Sequence, residues 1–139
     1  MSNTMKTPRG LRNNNPLNIR RSADRWQGLS AQQTDKAFFQ FRTLAYGFRA
    51  AFKTIRTYMV KHGCTNITRI IMRWAPPNEN NTSAYVAKVS QMSGIHPTEP
   101  LDFNDSGQMI ALVRAMAYVE NGVIIEGDSI REGYQMAVS

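Results

Sequence analysis

From Leu44 onward, apolar residues recur with the spacing of core-facing helices. Leu44, Phe48, Ala51, Phe52, Ile55, Tyr58 and Met59 trace one stripe, and Gly63 stands where a left-handed stop belongs. Thr65 or Asn66 can cap a second helix that turns Ile67, Ile70, Ile71 and Trp74 inward and ends at Pro76-Pro77. Thr82 or Ser83 can begin a third, running through Tyr85, Val86, Val89 and Met92 to Gly94. After a connection over 95–104 with two prolines, Asp105 or Ser106 can cap the helix around which the rest is arranged. There Met109, Leu112, Val113, Met116 and Ala117 fall at i, i+3, i+4, i+7 and i+8, and Asn121-Gly122 supplies the stop. Asp128 can cap a final helix carrying Ile130, Tyr134 and Ala137.

The front of the chain has a different pattern. The segment from Pro8 to Arg21 is rich in Asn, Gly and Pro, which favour turns, and predicts an ordered loop leading into a short strand around Leu17 to Arg20. Ser22 to Gly28 is a turn bearing Trp26, and Ala37-Phe-Phe-Gln-Phe41 a second short strand. The expected fold class is therefore α+β, predominantly helical, with a small antiparallel sheet near the N-terminus. A chain of 139 residues, 42% hydrophobic, fits a single domain over 1–139, with 1–8 as a flexible leader.

Composition removes several function classes. No run of about 18 apolar residues is present to span a membrane, and the N-terminus lacks the apolar segment of a secretory signal. Cys64 is the one cysteine, so no internal disulfide can form, which suits synthesis in a reducing compartment. Its place two residues after His62 invites a nucleophile reading, against that of a small buried filler. With only His62 and His96, no CxxC, no HExxH and no Gly-rich phosphate loop, neither a metal nor an organic cofactor is expected. Charge is unevenly spread: residues 1–63 carry 12 Lys/Arg against 2 acids, and residues 64–139 carry 5 against 8. The basic front half suggests an anionic polymer as partner, bacterial cell wall or nucleic acid, although a basic surface also aids solubility by itself.

Glu120 continues the apolar stripe of the central helix at i+11. Burial disfavours the charged form of a carboxyl there, and so does the negative end of a helix dipole, which marks Glu120 as a candidate proton donor. The plainer alternative is a solvated glutamate on an exposed rim. Asn13, Asn14 and Asn15 offer donors and acceptors suited to sugar hydroxyl and N-acetyl groups, or they tie down their own loop. Trp26 can stack on a pyranose ring or cap the core.

Several stretches together resemble the phage and prophage virion proteins of the lysozyme-like group. They are Asn13-Asn-Asn-Pro-Leu-Asn-Ile-Arg followed by Trp26-Gln-Gly28, then Tyr46-Gly-Phe-Arg-Ala50, Trp74-Ala-Pro-Pro-x-Glu-Asn-x-Thr82 with Tyr85, and Glu120-Asn-Gly122. Leu17 stands where that group has glycine. Asn81-Thr-Ser-Ala-Tyr-Val-Ala-Lys-Val89 also resembles a helix of lytic transglycosylases, and the front Asn motif a segment of cell-wall glucosaminidases. In those enzymes the catalytic glutamate precedes such motifs, so the order here is permuted if Glu120 does the same work.

The resemblance implies a lysozyme-like fold and a muramidase or lytic transglycosylase that cleaves peptidoglycan with Glu120 as general acid. Asn13, Asn14, Asn15, Trp26, Asn80, Thr82, Tyr85 and Asn121 would bind substrate, and Glu79 is the available second carboxylate. The implied partners are peptidoglycan glycan strands and other virion proteins, with nucleic acid the lesser candidate and no membrane. The protein would be made in the bacterial cytoplasm and act on the wall from a phage particle or on release at lysis. The alternative is a non-catalytic virion component, or a wall- or DNA-binding protein, of the same shape.

Overall fold

A computed structural model describes residues 7–139. Of the expected leader over 1–8, residues 1–6 lie outside that description. In chain order the helices are α1 (Arg9–Arg12), α2 (Leu44–His62), α3 (Ile67–Trp74), α4 (Thr82–Ser93), α5 (Ser106–Asn121) and α6 (Ser129–Val138). None of these is long and apolar enough to cross a membrane.

The helix ends follow from single side chains. Thr43, Asn66, Asn81 and Asp105 each accept a backbone N–H from the first turn of α2, α3, α4 and α5. Gly63, Gly94 and Gly122 close α2, α4 and α5 in the left-handed conformation. Helix α5 is buried on most of its circumference, with Met109, Leu112, Val113 and Met116 fully enclosed. Around it, α4 packs along one side, while α2 lies most extensively against α6. Gly133 permits that last approach, since a Cβ there would sit 2.5 Å from the Phe48 Cβ. Cys64 is a buried filler at the end of α2, its thiol directed at the His62 carbonyl, 3.7 Å away.

No strand forms among the described residues, so the lysozyme-like α+β class, with its permuted motif order and N-terminal sheet, is corrected to all-helical. The stretches expected as strands, Leu17 to Arg20 and Ala37 to Phe41, take part only in isolated antiparallel bridges, Arg20 with Phe38 and Leu29 with Phe41. The reason lies in how residues 37–42 divide their bonds. Arg21 N donates to Ala37 O and Phe39 N to Ile19 O, whereas Ser30 N donates to Gln40 O and Arg42 N to Gly28 O. Neither partner stays alongside long enough to build a ladder. The Asn15 side chain also takes backbone groups of both segments, donating to Ile19 O at 3.0 Å and Phe39 O at 2.9 Å and accepting from Ile19 N at 2.9 Å. The segment before them, expected as loop alone, winds one short helix, α1, between Pro8 and Asn13.

Candidate functional site

Four segments deliver side chains to one cleft of about 740 Å³. The last turn of α5 carries Glu120, which is half-buried and lines the cleft. Its carboxyl receives three hydrogen bonds. Asn18 Nδ2 donates to Oε1 at 3.0 Å, and Trp74 Nε1 and the Tyr85 hydroxyl donate to Oε2 at 3.2 and 2.9 Å. Trp74 ends α3 and Tyr85 sits in the first turn of α4. The buried Thr82 hydroxyl donates to Ala75 O, which fastens the end of α3 to the start of α4 and so fixes the spacing of the two aromatic donors. Burial pushes the Tyr85 hydroxyl well above its ordinary range, and the adjoining Glu120 carboxyl pushes it further, so Tyr85 stays a neutral phenol that can donate.

Asn18 arrives from the front loop in the left-handed region, at φ 53°, a conformation that asparagine tolerates better than most residues. Leu17 anchors that loop in the core at 1% exposure. Asn121, next to the glutamate, donates to Pro16 O at 2.7 Å and to Ala117 O at 2.9 Å, binding loop and helix together. Gly10 makes room for both amides: a Cβ there would lie 2.4 Å from Asn121 Oδ1 and 3.0 Å from Asn18 Oδ1. The cleft wall adds Trp26, Phe38 and Tyr58, and the cation Arg20, whose guanidinium lies 5.4 Å over the Phe38 ring. One carboxyl fixed by three donors, beside aromatic faces, is an arrangement that can exchange a proton with a bound ligand.

No protein-family model matches the chain. Protein P5 of Pseudoalteromonas phage PM2 is 40% identical over 131 residues, which cover 91% of this chain and 80% of the relative. This chain belongs to the family of that phage protein.

In this member of the Protein P5 family, the residues singled out from sequence separate into two groups. Glu120, Trp26, Asn80 and Glu79 line the cleft, and Tyr85 reaches Glu120 through its hydroxyl. Glu79 is exposed on the loop between α3 and α4, and Asp24, also exposed, is a further acid at the cleft. Asn13, Asn14, Asn15, Thr82 and Asn121 do not line it. Asn13 is buried, donating to Asp35 Oδ2 at 2.9 Å, and Asn14 donates to Phe41 O at 3.1 Å. The amides of Asn13, Asn14, Asn15 and Asn121 hold the loop that presents Asn18.

Asn18 and Trp74 are the two site residues that sequence reasoning did not assign. Both lie inside motifs already noted, Asn-Pro-Leu-Asn-Ile-Arg and Trp-Ala-Pro-Pro. Helical spacing alone had turned Trp74 into the core, and nothing local distinguishes Asn18 from its three neighbours upstream.

Proposed function

We propose that this chain cleaves the glycan strands of bacterial peptidoglycan on behalf of a phage, with Glu120 as general acid. The observation that carries the reading is the carboxyl of Glu120 in a cleft, oriented by Asn18, Trp74 and Tyr85. Glu120 gives its proton to the glycosidic oxygen as the bond from that oxygen to C1 breaks, and the leaving sugar departs as an alcohol. The two other acids at the cleft, Glu79 and Asp24, are exposed. A single held carboxyl favours attack on C1 by the same sugar's 6-hydroxyl, whose proton returns to Glu120. The product is then an anhydro end, formed without water. The motif likeness to lytic transglycosylases points the same way.

A second reading is a phage particle component that grips wall or DNA without cutting. Two observations favour it: the relative is a phage protein whose name states no activity, and the front half of the chain is strongly basic.

Zymography on wall-embedded gels separates the readings. Wild type is expected to clear the gel, and Glu120→Gln to lose about 10²- to 10⁴-fold of the rate, the usual contribution of a positioned acid. Equal clearing by both removes Glu120 from the mechanism, and no clearing by either favours the particle component. Mass analysis of the released muropeptides then separates anhydro from reducing ends, which differ by one water.

A further inference from the structure

Two oxygens near the carboxyl are buried and receive no hydrogen bond from any described residue: Asn18 Oδ1 and Asn121 Oδ1. Both face one spot. The place a Cβ on Gly10 would take lies 2.4 Å from Asn121 Oδ1, 2.9 Å from the Asn15 backbone oxygen and 3.0 Å from Asn18 Oδ1. Asn15 O accepts from Asn18 N at 3.0 Å, but the two side-chain oxygens converge without a donor, which costs free energy in a buried place. Asn121 cannot relieve this, because its Nδ2 already serves Pro16 O and Ala117 O. Asn18 can, since turning its amide end for end puts Nδ2 where Oδ1 now lies. In the present orientation that nitrogen is engaged elsewhere, donating to Glu120 Oε1 at 3.0 Å.

The carboxyl decides which way the amide faces. Ionised, Glu120 accepts from all three of its donors. Protonated, it must also donate, and the indole N–H of Trp74, which shares Oε2 with the Tyr85 hydroxyl, has no capacity to accept. The proton therefore belongs on Oε1, where it would meet Asn18 Nδ2 donor against donor. We propose that Asn18 is a proton-coupled positioning residue whose amide turns over when Glu120 takes up a proton. Asn18 Oδ1 then accepts from the carboxyl, and Nδ2 donates to Asn121 Oδ1. One side chain thus offers each form of Glu120 the partner it needs, and the turned form pairs both buried oxygens beside Gly10. The proposal rests on the reading of Glu120 as an acid and deepens it: once the proton has left, the amide turns back and bonds the carboxylate. Among the described residues no charged group bonds to Glu120. Arg20, Asp24, Tyr58 and Glu79 line its cleft, Tyr85 touches it, and Lys88 of α4 lies over Tyr118. These groups influence the pH at which Glu120 titrates, whereas Asn18 alone faces Oε1.

The test is NMR of the full-length protein, without ligand, across the titration of the Glu120 carboxyl. The Asn18 side-chain amide shifts are expected to move with the same midpoint as the Glu120 carboxyl carbon. The cross-relaxation signal between the Asn18 amide protons and the Gly10 α-protons should rise severalfold toward the acid end, as Nδ2 swings to that side. In Glu120→Gln the new amide keeps its oxygen for Trp74 and Tyr85 and presents its N–H to Asn18, so the strong signal to Gly10 should persist at every pH. The wild-type titration decides by itself should that variant fold poorly. A carboxyl that titrates while the Asn18 signals and the Gly10 contact stay constant overturns the turning amide and leaves Glu120 as an acid. So does a Glu120→Gln protein, folded by its amide spectrum, in which the Gly10 contact stays weak. A Glu120 carboxyl that takes up no proton down to the pH at which the protein unfolds overturns the acid reading, and the coupled turn with it.

Discussion

Asn15 and Leu112 are equally buried, each at 0% exposure, and they represent two ways of holding a chain. Leu112 lies on α5, where the backbone satisfies its own hydrogen bonds and the side chain needs only apolar neighbours. Asn15 lies between α1 and Asn18, where the backbone has no ladder, and its amide supplies three of the missing bonds. The helical body is thus an apolar assembly of many interchangeable contacts. The front, from Arg9 to Arg42, buries Leu17, Ile19, Phe39 and Phe41 as well, but joins its segments through polar bonds, each with a named donor and acceptor. The candidate site sits at their junction, with Asn18 from the front and Trp74, Tyr85 and Glu120 from the body. The carboxyl therefore depends on both kinds of order.

The sharpest way to break the comparison is through the body. Phe52 is 0% exposed on α2 and meets Tyr134 of α6 edge-on, with ring centres 5.2 Å apart. Phe52→Ala should cost ~3–5 kcal/mol, the usual range for an emptied aromatic site in a core. Chemical denaturation should show one cooperative transition at a much lower midpoint. A cost under ~1 kcal/mol would mean that the α2–α6 packing does not hold the body together.

Asn15→Ala makes the corresponding cut in the front. It leaves Ile19 N and Phe39 O without their side-chain partner in a buried place, at an expected cost of about 2–3 kcal/mol. Hydrogen exchange should quicken through residues 15–41 while α2 and α5 stay protected, and any wall clearing should fall with the loss of a positioned Asn18. Equal loss of protection in α5 would show that front and body unfold as one unit, and the contrast between them would fail.

The same division explains what could be read from the sequence. Helices α2 to α5 were legible from apolar spacing, and the caps Asn66 and Asp105 and the stops Gly63, Gly94 and Gly122 are local signals, whereas the caps Thr43 and Asn81 went unread. The sheet was misread because alternating apolar residues such as Phe39 and Phe41 do bury their rings, while pairing depends on which distant backbone lies alongside. Here that neighbour changes between Phe39 and Gln40. Glu120 was legible as a break in an apolar stripe. Its partners were not, since Asn18 lies 102 residues and Trp74 46 residues away in sequence. Among four asparagines in six positions, only tertiary contacts decide which three serve the loop and which one reaches the carboxyl.

The smallest expected effect lies at the outer edge of the front, where Arg9 clamps Asp35 through two hydrogen bonds of 2.7 Å. Arg9 chiefly, and Asn13 after it, hold the Asp35 carboxyl well below the usual carboxylate range. The folded value lies below the unfolded one, so the clamp stabilises at and above pH about 4, and its contribution fades as pH falls from there toward the folded value. Asp35→Asn should therefore lower the melting temperature at pH 7 by a few degrees at most, and the gap to wild type should narrow as pH falls to about 3. The Arg9 side chain is 49% exposed while that of Asp35 is 10% exposed, so added salt should narrow the gap at pH 7 as well. Asp35 also accepts the backbone N–H groups of Ala37 and Phe38, at 2.9 and 3.1 Å, bonds that an asparagine side-chain oxygen can still accept. A gap that stays constant from pH 7 to pH 3 would show that the bonds to Ala37 and Phe38 and the shape of the loop, rather than the ion pair, are what Asp35 contributes.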